Sequence, residues 1–267
     1  MATTPRRKRP AATRTRDLYL ASALLPLAPA AASIVAAIEP GGWTGITASL
    51  VRGLTPDALL YSAACVVVAA PLAGVAVTAS RRTAQSHGTP HLAAGPDVRR
   101  LVAATGIFGA VSAVLTLGRL GPSIDTLSFV ATSHLVLASV TLALAALGAL
   151  LGTLFRDPLD AAAVALCLTA TAAYGVLVAG APVGMMPAPV LKAALLASPI
   201  MSIASAAHVD LVRSDIWYQI SPLAHVQVEY PSWGTACLSY LAVGCTALLG
   251  MAWRNGHGRV RALEQRL

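Results

Sequence analysis

The acidic pair in Asp157-Pro158-Leu159-Asp160 has the spacing in this chain best suited to chemistry. Two carboxylates three residues apart at a helix start can hold Mg²⁺ and a diphosphate. Such chemistry ordinarily uses two motifs of this kind, and the chain has one. The simpler assignment makes Asp157 a helix cap with Pro158 in the first turn, where both acids complement the helix N-terminus. Methionine beside histidine suggests copper, and Met185, Met186, His208, Asp210, Asp215, His225 and Glu229 fall in one segment, but without compact ligand spacing. The four cysteines, Cys65, Cys167, Cys237 and Cys245, form no C-x-x-C motif and read as structural thiols. Neither Lys8 nor Lys192 completes a G-x-x-x-x-G-K loop, so any ATP that drives this protein binds another chain.

The elements that must position these residues follow from composition. Of 267 residues, 56% are hydrophobic and 11% charged, with a mean hydropathy of +0.70. Soluble chains carry about 45–50% apolar and about 25% charged residues, so too little polarity is present to cover a soluble surface. Disorder fails for the same reason, and four cysteines are too few for a disulfide scaffold. A polytopic membrane protein remains. Six stretches approach the roughly 20 apolar residues of a crossing helix: Leu18–Ile38, Ala58–Ala79, Leu101–Gly118, Thr126–Phe155, Leu159–Ala181 and Trp233–Trp253. None alternates with period two, so the expected fold is all-α. The fourth is long enough to tilt or to project beyond the bilayer.

Basic residues set the orientation. With six spans and both termini in the cytoplasm, 15 of the 19 lysines and arginines lie inside, leaving only Arg52, Arg119, Lys192 and Arg213 outside. A seventh crossing by Ala188–Ala207 would move the tail arginines out and spoil that bias. Ala188–Ala207, interrupted by Lys192 and Pro199, therefore reads as an external re-entrant or interfacial helix pair between spans five and six, sheltered by other helices. The organisation is a basic cytoplasmic segment over 1–17, a six-span domain over 18–253 and a basic cytoplasmic tail over 254–267. A basic segment ahead of an apolar run and Ala28-Pro29-Ala30 also fits a cleavable signal. The net charge of +8 is a topology signal and gives no support to nucleic-acid binding.

The spans hold no Lys, Arg, Glu or mid-membrane Asp. Ion-coupled transporters use buried carboxylates as relays, so that class lacks its machinery here. His134 is the ionisable side chain placed inside a span, either as a packed, hydrogen-bonded interhelical residue or as a contact on a substrate path. Gly148-x-x-x-Gly152, flanked by Ala145 and Ala149, lets two helices approach closely without saying which two. After span five, Asp210 and Arg213 have the i,i+3 spacing of a helical ion pair, and Trp217 and Tyr218 suit a membrane interface.

Taken together, six spans with both ends inside, the turn Phe155-Arg156-Asp157-Pro158, the phrases Ala197-Ser198-Pro199-Ile200 and Ser221-Pro222-Leu223 ahead of Tyr230-Pro231-Ser232-Trp233, and an arginine-rich tail resemble the permease subunits of six-span ABC exporters. That class moves drugs, polysaccharides or lipids. The resemblance is architectural over nearly the whole chain, and its sequence support is concentrated in residues 145–254. It implies a permease homodimer or heterodimer in a bacterial inner membrane, with no catalysis and no cofactor of its own. ATP and Mg²⁺ would be held by a separate ATP-binding subunit. Coupling to that partner would fall to Arg81, Arg82, Arg99, Arg100, Arg156, Asp157 and Asp160. The external gate would involve Asp210, Arg213, Asp215 and Trp217, and His134 would face the substrate path. The spans are less polar than in better-known members, which disfavours a strongly polar substrate. Two other functions remain: a membrane-embedded lipid- or prenyl-processing enzyme using Asp157 and Asp160, and a non-transporting anchor subunit.

Overall fold

A computed structural model describes residues 59, 63–79, 82, 113, 117, 123–178, 186–211 and 229–264, with side chains as far as Arg254. The expected spans 18–38 and 101–118 lie outside the described residues, apart from positions 113 and 117, as do Arg81, Arg99, Arg100, Arg213, Asp215 and Trp217. The described secondary structure is all helical. It comprises α1 (Ala63–Ala79), α2 (Ile124–Leu154), α3 (Pro158–Val178), α4 (Ala188–Ala197), α5 (Pro199–Ala206) and α6 (Trp233–Glu264). Three of these, α2, α3 and the Trp233–Arg254 part of α6, are long and apolar enough to cross a membrane. The chain is a multi-pass membrane protein.

Local sequence explains where these helices start. Ser123 caps α2 by accepting from Thr126 N (3.1 Å), and Ser232 caps α6 by accepting from Thr235 N (3.2 Å). In both, the serine and threonine hydroxyls also meet at 2.7 Å. Asp157 starts α3: its Oδ1 accepts from Leu159 N at 2.9 Å, with Pro158 next, as the capping assignment expects. Helix α5 ends without glycine. His208 takes a left-handed φ of 54°, so that His208 N reaches Ser205 O (3.1 Å) and Val209 N reaches Ala204 O (2.9 Å). That pair of bonds is the Schellman arrangement.

Helix α2 is the hub. Two thirds of its most apolar stretch is buried, against one third in α3 and in α6. The glycines reveal how α1 meets it. A Cβ on Gly148 would overlap Pro71 O, one on Gly74 would overlap Ala145 O, and one on Gly152 would overlap Thr78 Oγ1. The close approach expected of Gly148-x-x-x-Gly152 is therefore to α1. On another side Gly244 faces Ala143 and Gly250 faces Leu150, which brings α6 alongside. Residue numbers rise together across both contacts, so α1, α2 and α6 run parallel. The three-residue turn 155–157 folds α3 back antiparallel, and Ala161, Ala162 and Ala165 pack there with Val75 and Leu151.

At 1.5 Å per residue, the 31 residues of α2 and the 32 of α6 are each about 46–48 Å long, against a hydrocarbon core of about 30 Å. Both are longer than an upright crossing of that core requires. Helix α6 continues unbroken from Trp253 to Glu264, so the boundary expected at 254 is a change of charge and not a break in the helix. Outward-facing Leu238, Leu249 and Trp253 are 68–71% exposed, a surface suited to hydrocarbon.

Candidate functional site

Apart from His134, the described candidate residues gather at the two ends of this bundle. At the α2 C-terminus the guanidinium of Arg82 donates to Gly152 O, Phe155 O and Arg156 O, the last at 3.1 Å. The final carbonyls of a helix have no partner inside it, and a cation there also complements the helix dipole. Arg82 thus ties the end of α1 to the α2–α3 turn through a side chain 70 residues and more away in sequence. Arg156, Asp157 and Asp160 are all exposed on this turn. Of the seven proposed coupling residues, the four that are described therefore come together at one end of the bundle.

The opposite end is built around the bent pair. Helices α4 and α5 meet at 91° across Ser198 and Pro199. Pro199 has no N–H to continue the α4 ladder, and Ser198 restarts the chain as the α5 cap by accepting from Met201 N (3.4 Å). Backbone freed by such a break must find partners inside a membrane protein, and here it does. Tyr240 of α6 donates to Ala197 O (3.1 Å) and Ser202 donates to Leu196 O (3.3 Å), while the Ser198 hydroxyl ties the bend to α3 by donating to Ala173 O (2.7 Å). Apart from Ser205, every residue of α5 is buried, whereas α4 buries only Leu191 and Leu195.

Both arms of the pair begin and end on the same side. Lys192 of α4 pairs with Glu229 at 3.7 Å. Ser205 of α5 donates to Pro231 O at 2.7 Å, and Tyr230 donates to Asp210 at 2.8 Å. His208 stacks on Phe129, near the start of α2, with ring centroids 6.4 Å apart. All of these partners lie by the N-termini of α2 and α6. The exposed Lys192–Glu229 pair adds little energy, but it fixes where α4 enters. Asp210 lies beyond the end of α5, and Arg213, its expected i,i+3 partner, lies outside the described residues. The described partner of Asp210 is the Tyr230 hydroxyl.

His134 lies inside α2 with Nδ1 2.8 Å from Val130 O, one turn back, and 3.4 Å from Ser133 Oγ. It lines neither of two apolar hollows that flank Tyr240. One, of about 240 Å³, lies between α1, α2 and α6. The other, of about 340 Å³, lies between α3, α6 and the bend. Their walls are almost wholly aliphatic, with Thr169 and Ser239 as hydroxyls in the second. Among the described residues no three of His, Cys, Asp and Glu are placed to hold a metal ion.

The residues at the bend, Ser198, Ser202 and Tyr240, are absent from the sequence-based site. The Ser-Pro dipeptide inside an apolar run was the available signal for the first of them. Compared with protein-family models, curated proteins and solved structures, the chain matches none of them.

Proposed function

We propose that the chain is the permease subunit of an ABC exporter-type transporter, with six spans and cytoplasmic termini. It works as a homodimer or heterodimer in the inner membrane beside a separate ATP-binding subunit, which holds ATP and Mg²⁺. The observation that carries this reading is the bent pair α4–α5. It is a broken helix that enters and leaves at one end of the bundle, its freed Ala197 carbonyl met by Tyr240 of α6 and its Ser198 hydroxyl bonded to α3. Irregular backbone at membrane depth is a feature of transport proteins, where it lines or gates a path.

The arrangement of the other end supports the same reading. The turn Arg156–Asp160 and the Arg82 clamp are exposed on the face that the positive-inside bias assigns to the cytoplasm. A partner pressing there would move α1, α2 and α3 together. The bent pair then sits on the outside as the gate, with Asp210 at its edge. The aliphatic walls of both hollows favour a substrate of low polarity. Use of Asp157 as a cap favours this reading over a diphosphate-processing enzyme, whose carboxylate would need to be available to Mg²⁺.

Purification of the tagged chain from its native membrane in mild detergent tests the proposal. It should bring down an ATP-binding chain, and the complex should hydrolyse ATP. Arg82→Gln should lower that hydrolysis while the two chains still copurify. Repeated recovery without any ATP-binding chain would overturn the reading. So would a Mg²⁺-dependent lipid-processing activity abolished by Asp157→Asn with Asp160→Asn.

A further inference from the structure

The hollow between α1, α2 and α6 has a second feature besides its aliphatic wall: one of its ends is basic. On α6 its lining descends through Tyr240, Leu241, Gly244, Leu248 and Met251. Arg254 follows Met251 by three residues, one turn further along the same helix, and is exposed. On α1 the lining residue Val77 is followed five positions later by Arg82, and Arg156 is exposed on the adjoining turn. From Gly244 to Arg254 the helix rises about 15 Å, which is the depth of one leaflet of a hydrocarbon core about 30 Å thick. With Asp157 and Asp160 included, the described charges at this end are three arginines against two aspartates, whereas the far end has Asp125, Asp210 and Glu229 against Lys192.

The geometry points to a binding site for one anionic glycerophospholipid, its phosphate at Arg254 and an acyl chain lying in the hollow up to Gly244. A chain of methylenes suits a wall with almost no polar surface, and basic pockets between helices are where anionic headgroups bind. A neutral lipid would fill the same hollow but gain nothing from the arginines. This site does not depend on the transport reading.

Native mass spectrometry of the full chain tests it, with phosphatidylglycerol and phosphatidylcholine of identical acyl chains supplied in equal amounts. The wild type retains phosphatidylglycerol over phosphatidylcholine. Arg254→Gln reduces that preference about fivefold, the effect of removing one basic residue near a membrane surface. Cys245→Trp and Leu248→Trp each place an indole in the hollow from a side chain that is already exposed, and both lose the bound lipid. Equal retention of the two lipids by the wild type overturns the proposal. So does undiminished phosphatidylglycerol on both tryptophan variants, the result expected if residues 18–38, residues 101–118 or a second copy of the chain fill the hollow instead.

Discussion

The α1–α2 seam and the α4–α5 bend are both buried and both join helices, yet opposite means hold them. At the seam, backbone meets backbone: Gly74, Gly148 and Gly152 leave no room for a single added carbon against Pro71, Ala145 and Thr78. At the bend, hydroxyls of Ser202 and Tyr240 reach carbonyls that a broken helix has freed, and the Ser198 hydroxyl ties the break to Ala173 O of α3. Close packing of this kind has one arrangement, whereas a hydrogen bond from a side chain can be exchanged for another. In the proposed transporter the seam would be the frame and the bend the gate that rearranges.

That contrast can be broken most severely at the seam. Gly148→Leu should cost more than about 3 kcal/mol, the upper range for overpacking, and should leave no monodisperse protein in size-exclusion chromatography. Full recovery of a folded Gly148→Leu variant would mean that α1 and α2 are not in contact there. At the bend the damage comes from taking atoms away. Ser198→Ala removes the bond to Ala173 O and the α5 cap, and should lower stability by about 1–3 kcal/mol in thermal unfolding in detergent. Tyr240→Phe keeps the ring and loses one bond, for about 1 kcal/mol. If Ser198→Ala unfolds with the wild type, the hydroxyls do not hold the bend. The smallest effect belongs to the α2–α3 turn, where Asp157→Ala should cost about 1 kcal/mol and Asp157→Asn almost nothing, because either oxygen can cap.

These magnitudes also mark what could be seen in the sequence. The start of α3 was legible because a cap is local: Asp157 bonds a backbone N–H two residues on, and the caps Ser123 and Ser232, which went unread, bond one three residues on. The break at Pro199 was legible for the same reason. Which helices meet was not, since in a membrane the side facing lipid and the side facing protein are equally apolar and no amphipathic stripe separates them. Gly148 and Gly152 announced a close approach, but nothing near them in sequence names Pro71. Arg82 read as a topology signal and, through the resemblance, as a coupling residue, because a carbonyl clamp between residues 82 and 152–156 leaves no local trace. Tyr240, which bonds Ala197 across 43 residues, was hidden in the same way. The His208 turn that ends α5 ahead of Asp210 was hidden too, because a histidine in the left-handed region carries no glycine to announce it.

The gate reading stands on α4 and α5 entering and leaving from one side. Single cysteines in a chain whose four native cysteines are replaced by alanine, reacted with a membrane-impermeant maleimide, address this directly. Val190→Cys, in α4, and Glu229→Cys, just before α6, should both label from outside intact cells. Leu159→Cys, at the α2–α3 turn, should label only after the membrane is opened. Labelling of Val190→Cys and Glu229→Cys from opposite faces would make α4–α5 a complete span and contradict the account.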